Sequence, residues 1–301
     1  MNERNILVVA HARRDDTVAA ARRVIAALRD AGAHPVLDPQ DRAELAEVDA
    51  SFSDVDAVGD AVGVEDLELA IVLGGDGTIL RAAELVRGSR APVLGINMGH
   101  VGFLAEIERD DMDAAVKRVI DRDYEVEERM ALSVRVKDAA GHVVYETWAL
   151  NEATVEKASR ERMIEVVVEI DGRPLSSYGC DGMVVSTPTG STAYNFSAGG
   201  PVIWPSVEAI AVIPLSAHAL FARPLVVGPE APVAIELLER TDGTGILWCD
   251  GRRSHDLPPG ARVIVRRSSQ PVRLARLHPI AFTDRLVRKF QLPVEGWRGA
   301  P

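Results

Sequence analysis

Residues 69–78 read LAIVLGGDGT: five apolar residues, three glycines set around an acid, then a threonine that opens a helical pattern reaching to residue 87. An unbroken apolar run bounded by glycine reads as a strand buried on both faces, and parallel sheets covered by helices are where such strands occur. The rest of the first 125 residues repeats the alternation. Residues 5–10 (NILVVA) read as another buried strand, after which Asp15 caps a helix that places Val18, Ala21, Ile25 and Leu28 on one face and stops at Gly32. Residues 91–97 (APVLGIN) make a third strand and residues 110–121 a further helix. The expectation is an α/β domain with a parallel sheet. It is Rossmann-like in layering, yet no GxGxxG follows a strand and no GxxxxGK[ST] occurs, which argues against a plain dinucleotide dehydrogenase and a P-loop kinase.

Beyond residue 128 the pattern changes. Short β-rich runs bounded by turn residues appear at 132–137, 143–150, 164–170, 183–186, 209–213, 233–238, 246–249 and 263–267. Many short strands with Gly and Pro between them predict an all-β, sandwich-like domain. Residues 283–290 (TDRLVRKF) read as helix again. The expected division is therefore 1–127 as the α/β domain, 128–278 as the β domain, and 279–301 as a segment returning to the first.

The chain has 301 residues, is 47% hydrophobic and carries a formal net charge of -11, which argues against nucleic acid or an anionic membrane as partner. The charge is uneven. Residues 41–68 hold ten acids and one base, whereas residues 252–301 hold eleven bases and three acids, so an anionic substrate is not excluded. The acidic stretch, interrupted by Gly59 and Gly63, fits no helix or strand pattern and is expected to be a surface insertion or mobile loop. Cys180 and Cys249 stand far apart without CxxC spacing, and the seven histidines show no HxH or HExxH, so neither a disulfide framework nor a protein-built metal site is indicated. The N-terminus lacks a long apolar stretch, and no run approaches 18 apolar residues. The expected location is the cytoplasm.

Two segments carry the chemistry. Gly74, Gly75, Asp76, Gly77 and Thr78 lie where a strand ends and a helix begins, the place where open sheets bind anions on free backbone N–H groups. A carboxylate repels phosphate, so Asp76 is out of place in a phosphate-binding turn unless a metal or a proton transfer requires it. The other reading is a tight turn with a capping Asp. The second segment, residues 181–201 (DGMVVSTPTGSTAYNFSAGGP), runs from a buried strand into hydroxyl residues interleaved with Gly and Pro. It reads either as a hydrogen-bonding surface for a nucleoside or as a solvated Ser/Thr turn.

GGDGT, then Asn151-Glu152 at a strand end, then the 181–201 segment occur in the order that the NAD kinase family shows, and the chain resembles that family over most of its length. Residues 97–104 (NMGHVGFL), 214–218 (PLSAH), 222–225 (ARPL) and 250–252 (DGR) agree as well. GGDGT alone is shared with lipid kinases; the long hydroxyl-rich segment with Asn151-Glu152 upstream discriminates.

The resemblance implies transfer of the γ-phosphoryl of ATP, or of polyphosphate in some members, to the 2′-hydroxyl of the adenosine ribose of NAD. On this reading Asp76 is the general base, Gly74, Gly75, Gly77 and Thr78 hold phosphate, and Mg²⁺ or another divalent cation neutralises charge. NAD contacts are implied for Asp76, Gly77, Asn151, Glu152, Asp181, Thr192, Ala193, Tyr194, Asn195, Phe196 and Ser197. Arg81 and Arg162 are implied at the dinucleotide phosphates, Phe103 at adenine and His218 near the transferred phosphate, with Arg252 a further candidate; Phe103 is read equally well as a core residue and His218 as a structural one, and an arginine is more commonly a solvated surface charge. The family also implies a site between the two domains and a homodimer or homotetramer built through the β domains. Residues 178–180, just before Asp181, vary in the family and leave NAD against NADH open. Two other readings compete with this one: a lipid or sphingoid-base kinase, which would need an apolar acceptor pocket, and a non-catalytic NADP(H)-binding regulator, against which Asp76 argues.

Overall fold

The computed structural model describes residues 4–99, 102–160, 162–241, 243–277 and 281–294. Two compact units emerge, Met1–Glu128 with Val272–Pro301, and Arg129–Pro271.

The first unit is the expected α/β domain. Its elements are β1 (Asn5–Val9), α1 (Asp15–Asp30), β2 (His34–Leu37), α2 (Pro39–Val48), β3 (Asp56–Ala57), β4 (Leu67–Leu73), α3 (Asp76–Leu85), β5 (Val93–Asn97), β6 (Ile107–Glu108), α4 (Met112–Ile120) and β7 (Glu125–Arg129). Residues 6–10 and 69–73 are sealed from solvent, as a strand covered on both faces must be. Arg14, not Asp15, is the N-cap of α1; Asp15 and Asp16 stand in the first turn, where carboxylates complement the helix dipole.

The acidic stretch is not a loose insertion. Asp38 caps α2 through the Gln40 N–H, Phe52 is buried in a 3₁₀ turn, and β3 pairs with β2. The helix was hidden because it buries only Asp41 and Leu45, too narrow a stripe for a periodicity reading. Asp41 is closed off from solvent and accepts the Ala10 N–H at 3.2 Å and both terminal nitrogens of Arg81 at 2.6 and 2.5 Å.

The second unit comprises β8 (Leu132–Lys137), β9 (Val143–Ala149), β10 (Glu152–Lys157), β11 (Ile164–Ile170), β12 (Arg173–Cys180), β13 (Gly182–Ser186), a short helix α5 (Tyr194–Ser197), β14 (Ile210–Leu215), β15 (Leu225–Val227), β16 (Val233–Leu237), β17 (Gly245–Cys249), β18 (Arg253–Leu257) and β19 (Arg262–Arg267). They form two six-stranded sheets, β15-β14-β13-β10-β17-β18 and β12-β11-β16-β19-β8-β9, whose strand pairs run antiparallel. Alternate residues of both sheets, such as Val134, Val166, Val185, Val212, Ile235 and Val263, meet in one core, which makes the unit a sandwich. The opposite face of β13 and β14, with Val184, Ala211 and Ile213, is covered by Ala198, Ile203 and Ala209 of the segment that links these two strands. That covering segment is the hydroxyl-rich loop.

The chain then re-enters the first unit through β20 (Val272–Arg276) and α6 (Phe282–Phe290). The first sheet is ordered β3-β2-β1-β4-β5-β20-β7, with β6 on β5, and β20 runs parallel to β5. The return therefore begins at residue 272, ahead of the expected 279. VRLAR alternates like the antiparallel strands before it, so its pattern does not reveal which sheet receives it. No helix among the described residues is long and apolar enough to cross a membrane.

Candidate active site

In the first sheet the strand order grows outward in both directions from the β1 and β4 pair, which makes their carboxyl ends a topological switch point. GGDGT sits there. Gly74 donates its N–H to Ile96 at 3.0 Å, and a Cβ at this position would overlap the Thr78 side chain. Gly75 is the N-cap of α3 and Asp76 its first residue. A Cβ at Gly75 or Gly77 would meet no protein atom within 4 Å, and neither backbone is left-handed. Packing thus gives no reason for glycine at these two positions, whereas a ligand laid on the backbone would.

Asp76 is half-buried, and its carboxylate accepts the Phe103 N–H at 2.9 Å and the Leu104 N–H at 3.0 Å. Gly102 makes that approach possible, since a Cβ there would collide with the carboxylate. Each oxygen keeps a further acceptor position. Asp76 is therefore a fixed acceptor rather than a helix cap, and the capping alternative falls. Phe103 packs its ring against Phe282 and Phe290 of α6, with centroids 6.1 and 5.7 Å away. It is a half-buried member of an aromatic cluster. Arg81, implied at substrate phosphates, is instead committed to the buried Asp41. The long acidic stretch held the partner that no local pattern could connect to it.

The second unit gathers the other implied residues. Asp250 and Gly251 take positive φ, +54° and +62°, in the turn between β17 and β18. The turn carries the Asp250 carboxylate under the chain at 150–152, where it accepts the Leu150 N–H at 2.9 Å and the Asn151 N–H at 2.7 Å and pairs with Arg253 at 2.7 Å. Arg253 in turn lies 4.4 Å over the Trp148 ring. Asp250 is the buried organiser of this half, a role missed from the sequence, although an Asp-Gly pair between two β runs is a signal from which its turn could have been found.

Glu152 above it is 7% exposed. Burial, then the neighbouring charge of Asp250, pushes its carboxyl up to about 8, opposed by a bond from the Tyr194 N–H. Its Oε2 has no partner in the structure. A buried carboxylate oxygen without a donor is costly, and it marks a place for a ligand hydroxyl.

The hydroxyls of the covering loop are mostly spent internally. Thr187 Oγ1 donates to the Leu150 carbonyl at 2.6 Å and accepts the Gly190 N–H at 3.0 Å; Ser191 Oγ donates to Pro188 and accepts from Ile203. A Cβ on Gly190 would overlap the Asn151 carbonyl, so the loop lies directly on the Asn151–Glu152 backbone. Asn195 is fully buried and donates to the carbonyls of Ser191 and Pro201, which shapes the loop. Thr192 and Ala193 are half-buried, and Tyr194, Phe196 and Ser197 are exposed. The Tyr194 phenol is pushed up by burial and by the charges of Glu156, Glu152 and Asp181, which brings those acids around one ring. Asp181 is held by Lys157 at 2.5 Å and by Ser216, with His218 nearby, and the Lys157 bond keeps its carboxyl below the usual range. His218 and Arg252 are exposed, as is Arg162. His100 and Val101 of the 97–104 stretch, and His278, lie outside the described residues.

Two family models match the chain: ATP-NAD kinase N-terminal domain over residues 6–124 and ATP-NAD kinase C-terminal domain over residues 150–277. A protein named NAD kinase from Leifsonia xyli is 65% identical over 297 residues, covering 99% of this chain and 97% of the relative. NAD kinase 2 of Streptomyces coelicolor is 56% identical over 301 residues, covering 99% and 98%. Among solved structures, yeast NADH kinase complexed with NADH superposes with a TM-score of 0.86 at 21% identity, over 98% of this chain and 90% of that one. An NAD kinase from Archaeoglobus fulgidus in complex with ATP superposes with 0.73 at 26% identity, over 96% and 98%.

Proposed function

Because the chain belongs to the ATP-NAD kinase family, we propose that it phosphorylates the 2′-hydroxyl of the adenosine ribose of NAD with ATP, forming NADP and ADP. The observation that carries the mechanism is the Asp76 carboxylate, held by two backbone N–H groups at the carboxyl end of β4 beside a helix N-terminus. The 2′-oxygen attacks the γ-phosphorus, its proton passes to Asp76, and the bond from the γ-phosphorus to the bridging oxygen breaks to release ADP. Gly75 and Gly77 offer phosphate an approach that no side chain obstructs. Gly74 and Thr78 shape the turn, and the free N–H groups of the first turn of α3 favour the anion.

A divalent cation supplies neutralising charge on the phosphates when bound. Asp76, the one carboxylate of the turn, is the residue that would meet a cation carried on the nucleotide phosphates. On the acceptor side, Glu152 Oε2 takes a sugar hydroxyl as donor, which favours the ionised carboxylate that burial opposes. Asn151, Asp181, Thr192, Ala193, Tyr194 and Ser197 are proposed to contact the dinucleotide on the same side, supported by the loop lying on the Asn151 backbone and by the acids Glu152 and Asp181 that act on Tyr194.

The second unit is proposed to join copies into a homodimer or homotetramer, supported by exposed Leu175 and Val226 on its edge strands β12 and β15. Light scattering that gives the mass of one chain would refute this. The proposed location is the cytoplasm, where both substrates are available and where two free buried thiols suit a reducing milieu.

The test of the reaction is NADP formation from NAD, ATP and Mg²⁺. Asp76→Asn should lower kcat by a factor of about 10² to 10⁴. Unchanged turnover would remove Asp76 from the role of base. Label appearing in lipid but not in NADP would overturn the reading as a whole.

A further inference from the structure

We infer that Arg285, on α6, is a positioning residue for Asp76; the inference rests on the reading of Asp76 as the base. The connection runs through one peptide plane. Arg285 Nη1 donates to the Phe103 carbonyl at 3.2 Å, and the N–H on the other side of that same peptide, that of Leu104, donates to Asp76 Oδ1 at 3.0 Å. A peptide unit is rigid and its C=O and N–H point in opposite directions, so fixing one end fixes the other. A donor on the carbonyl also polarises the amide and strengthens the bond that its N–H makes.

The grip extends along the segment. Arg285 Nη1 also donates to the Ala105 carbonyl, and Arg276 of β20 reaches the Leu104 carbonyl at 3.4 Å. The carbonyls of residues 103, 104 and 105 are thus all held by arginines from the returning part of the chain. Both guanidinium groups are oriented by Glu106, whose side chain is shut off from solvent and pairs with each at 2.8 Å. The Phe103 ring is held by the same helix, between Phe282 and Phe290. One edge of the 103–105 segment therefore faces Asp76 and the other faces the two arginines. Leu104 and Ala105 are buried, so their carbonyls need partners in any case, whereas half-buried Phe103 is the residue whose carbonyl shares a peptide with a donor to Asp76. What Arg285 adds is a fixed direction for the Leu104 N–H, one of the two that aim the carboxylate.

The experiment is a double-mutant cycle read by steady-state kinetics on the full-length chain. Arg285→Ala should lower kcat about 10- to 100-fold, the usual cost of misplacing a reacting group by around an ångström, and leave KM for NAD and for ATP within about twofold. On an Asp76→Asn background the same change should cost less than about twofold, because the group it positions is already gone. Losses that multiply on the two backgrounds, or a rise in both KM values without a fall in kcat, would overturn the inference and leave Arg285 a structural residue. Arg285→Lys keeps a positive charge but has one nitrogen where the guanidinium uses two, Nη1 for the carbonyls and Nη2 for Glu106; it carries the same cycle if the Ala variant does not fold, with kcat expected to fall about 3- to 10-fold. Full turnover in Asp76→Asn alone would instead overturn the base assignment, and this inference with it.

Discussion

Glu152→Gln should make the protein more stable at alkaline pH while weakening its hold on NAD. In the fold the Glu152 carboxyl is pushed from its ordinary 4.5 to about 8, first by burial and then by the charge of Asp250. Because the folded state keeps a proton that the unfolded chain releases, this stabilising contribution is complete below pH 4.5 and is lost as pH rises through 8. The full swing is about 5 kcal/mol, of which about 2.5 kcal/mol falls between pH 6 and pH 8.5. Gln has nearly the same shape, carries no charge, and presents an amide N–H to the Asp250 side.

Urea unfolding of both proteins at pH 6 and pH 8.5 isolates the effect, since every other titrating group is common to the pair. Stability of the unaltered protein should fall by about 2.5 kcal/mol more than that of the variant across this interval. Parallel curves for the two proteins would show that Glu152 does not carry the buried charge argued here. The variant should also raise KM for NAD more than KM for ATP, because an amide supplies one acceptor where the carboxylate supplies two oxygens.

Asp250→Ala leaves the Leu150 and Asn151 N–H groups and the Arg253 guanidinium without their acceptor, and should cost about 3 to 5 kcal/mol of stability. A loss below about 1 kcal/mol by urea unfolding would mean that water replaces the carboxylate freely. Gly190→Ala drives a methyl group into the Asn151 carbonyl and should destabilise by about 1 to 3 kcal/mol while raising KM for NAD; an unchanged Tm with unchanged KM would place the loop farther from the strand than the structure does. Asp41→Ala should destabilise by about 3 kcal/mol or more by stranding Arg81. Normal stability there would restore the acidic stretch to the status of a dispensable insertion.

Both unit architectures could be read from pattern. Continuous apolar runs at 5–10 and 69–73 and alternation at 132–137 and 164–170 each correspond to a strand of the expected kind. What escaped has specific causes. β10 (EATVEK) reads as polar because its outer face carries Glu152 and Glu156, the acids grouped around Tyr194. The α2 helix has almost no apolar face, and β20 bears no mark of which sheet receives it.

Within the candidate site, Asp76 and Glu152 were legible as residue types out of keeping with their surroundings. The direction of each hydroxyl in residues 186–192 was not, since composition records donors without saying whether a carbonyl of the same loop already takes them. Asp250, Gly102 and Arg285 act on residues 26 to 182 positions away, counting Asp76 to Gly102 and Arg285 to Phe103, and no local window joins them. Arg81 shows the same limit from the other side. Its partner Asp41 stands forty residues earlier, in the stretch that pattern alone had set aside.

The order of β5, β20 and β7 in the first sheet bears on how the protein is made. The ribosome delivers β1 to β7 first, then the whole contiguous sandwich, and only then the strand that lies between β5 and β7. Until residues 272–276 emerge, β6 covers β5 only at Ile96 and Asn97, and the start of β5 at Val93 keeps a bare backbone edge in a strand buried in the finished fold, the kind of edge that recruits other chains. Synthesis interrupted after the sandwich would therefore release an aggregation-prone product rather than a weak enzyme. Nascent-chain pulldowns should find holdase chaperones on this protein late, leaving as the final strand docks.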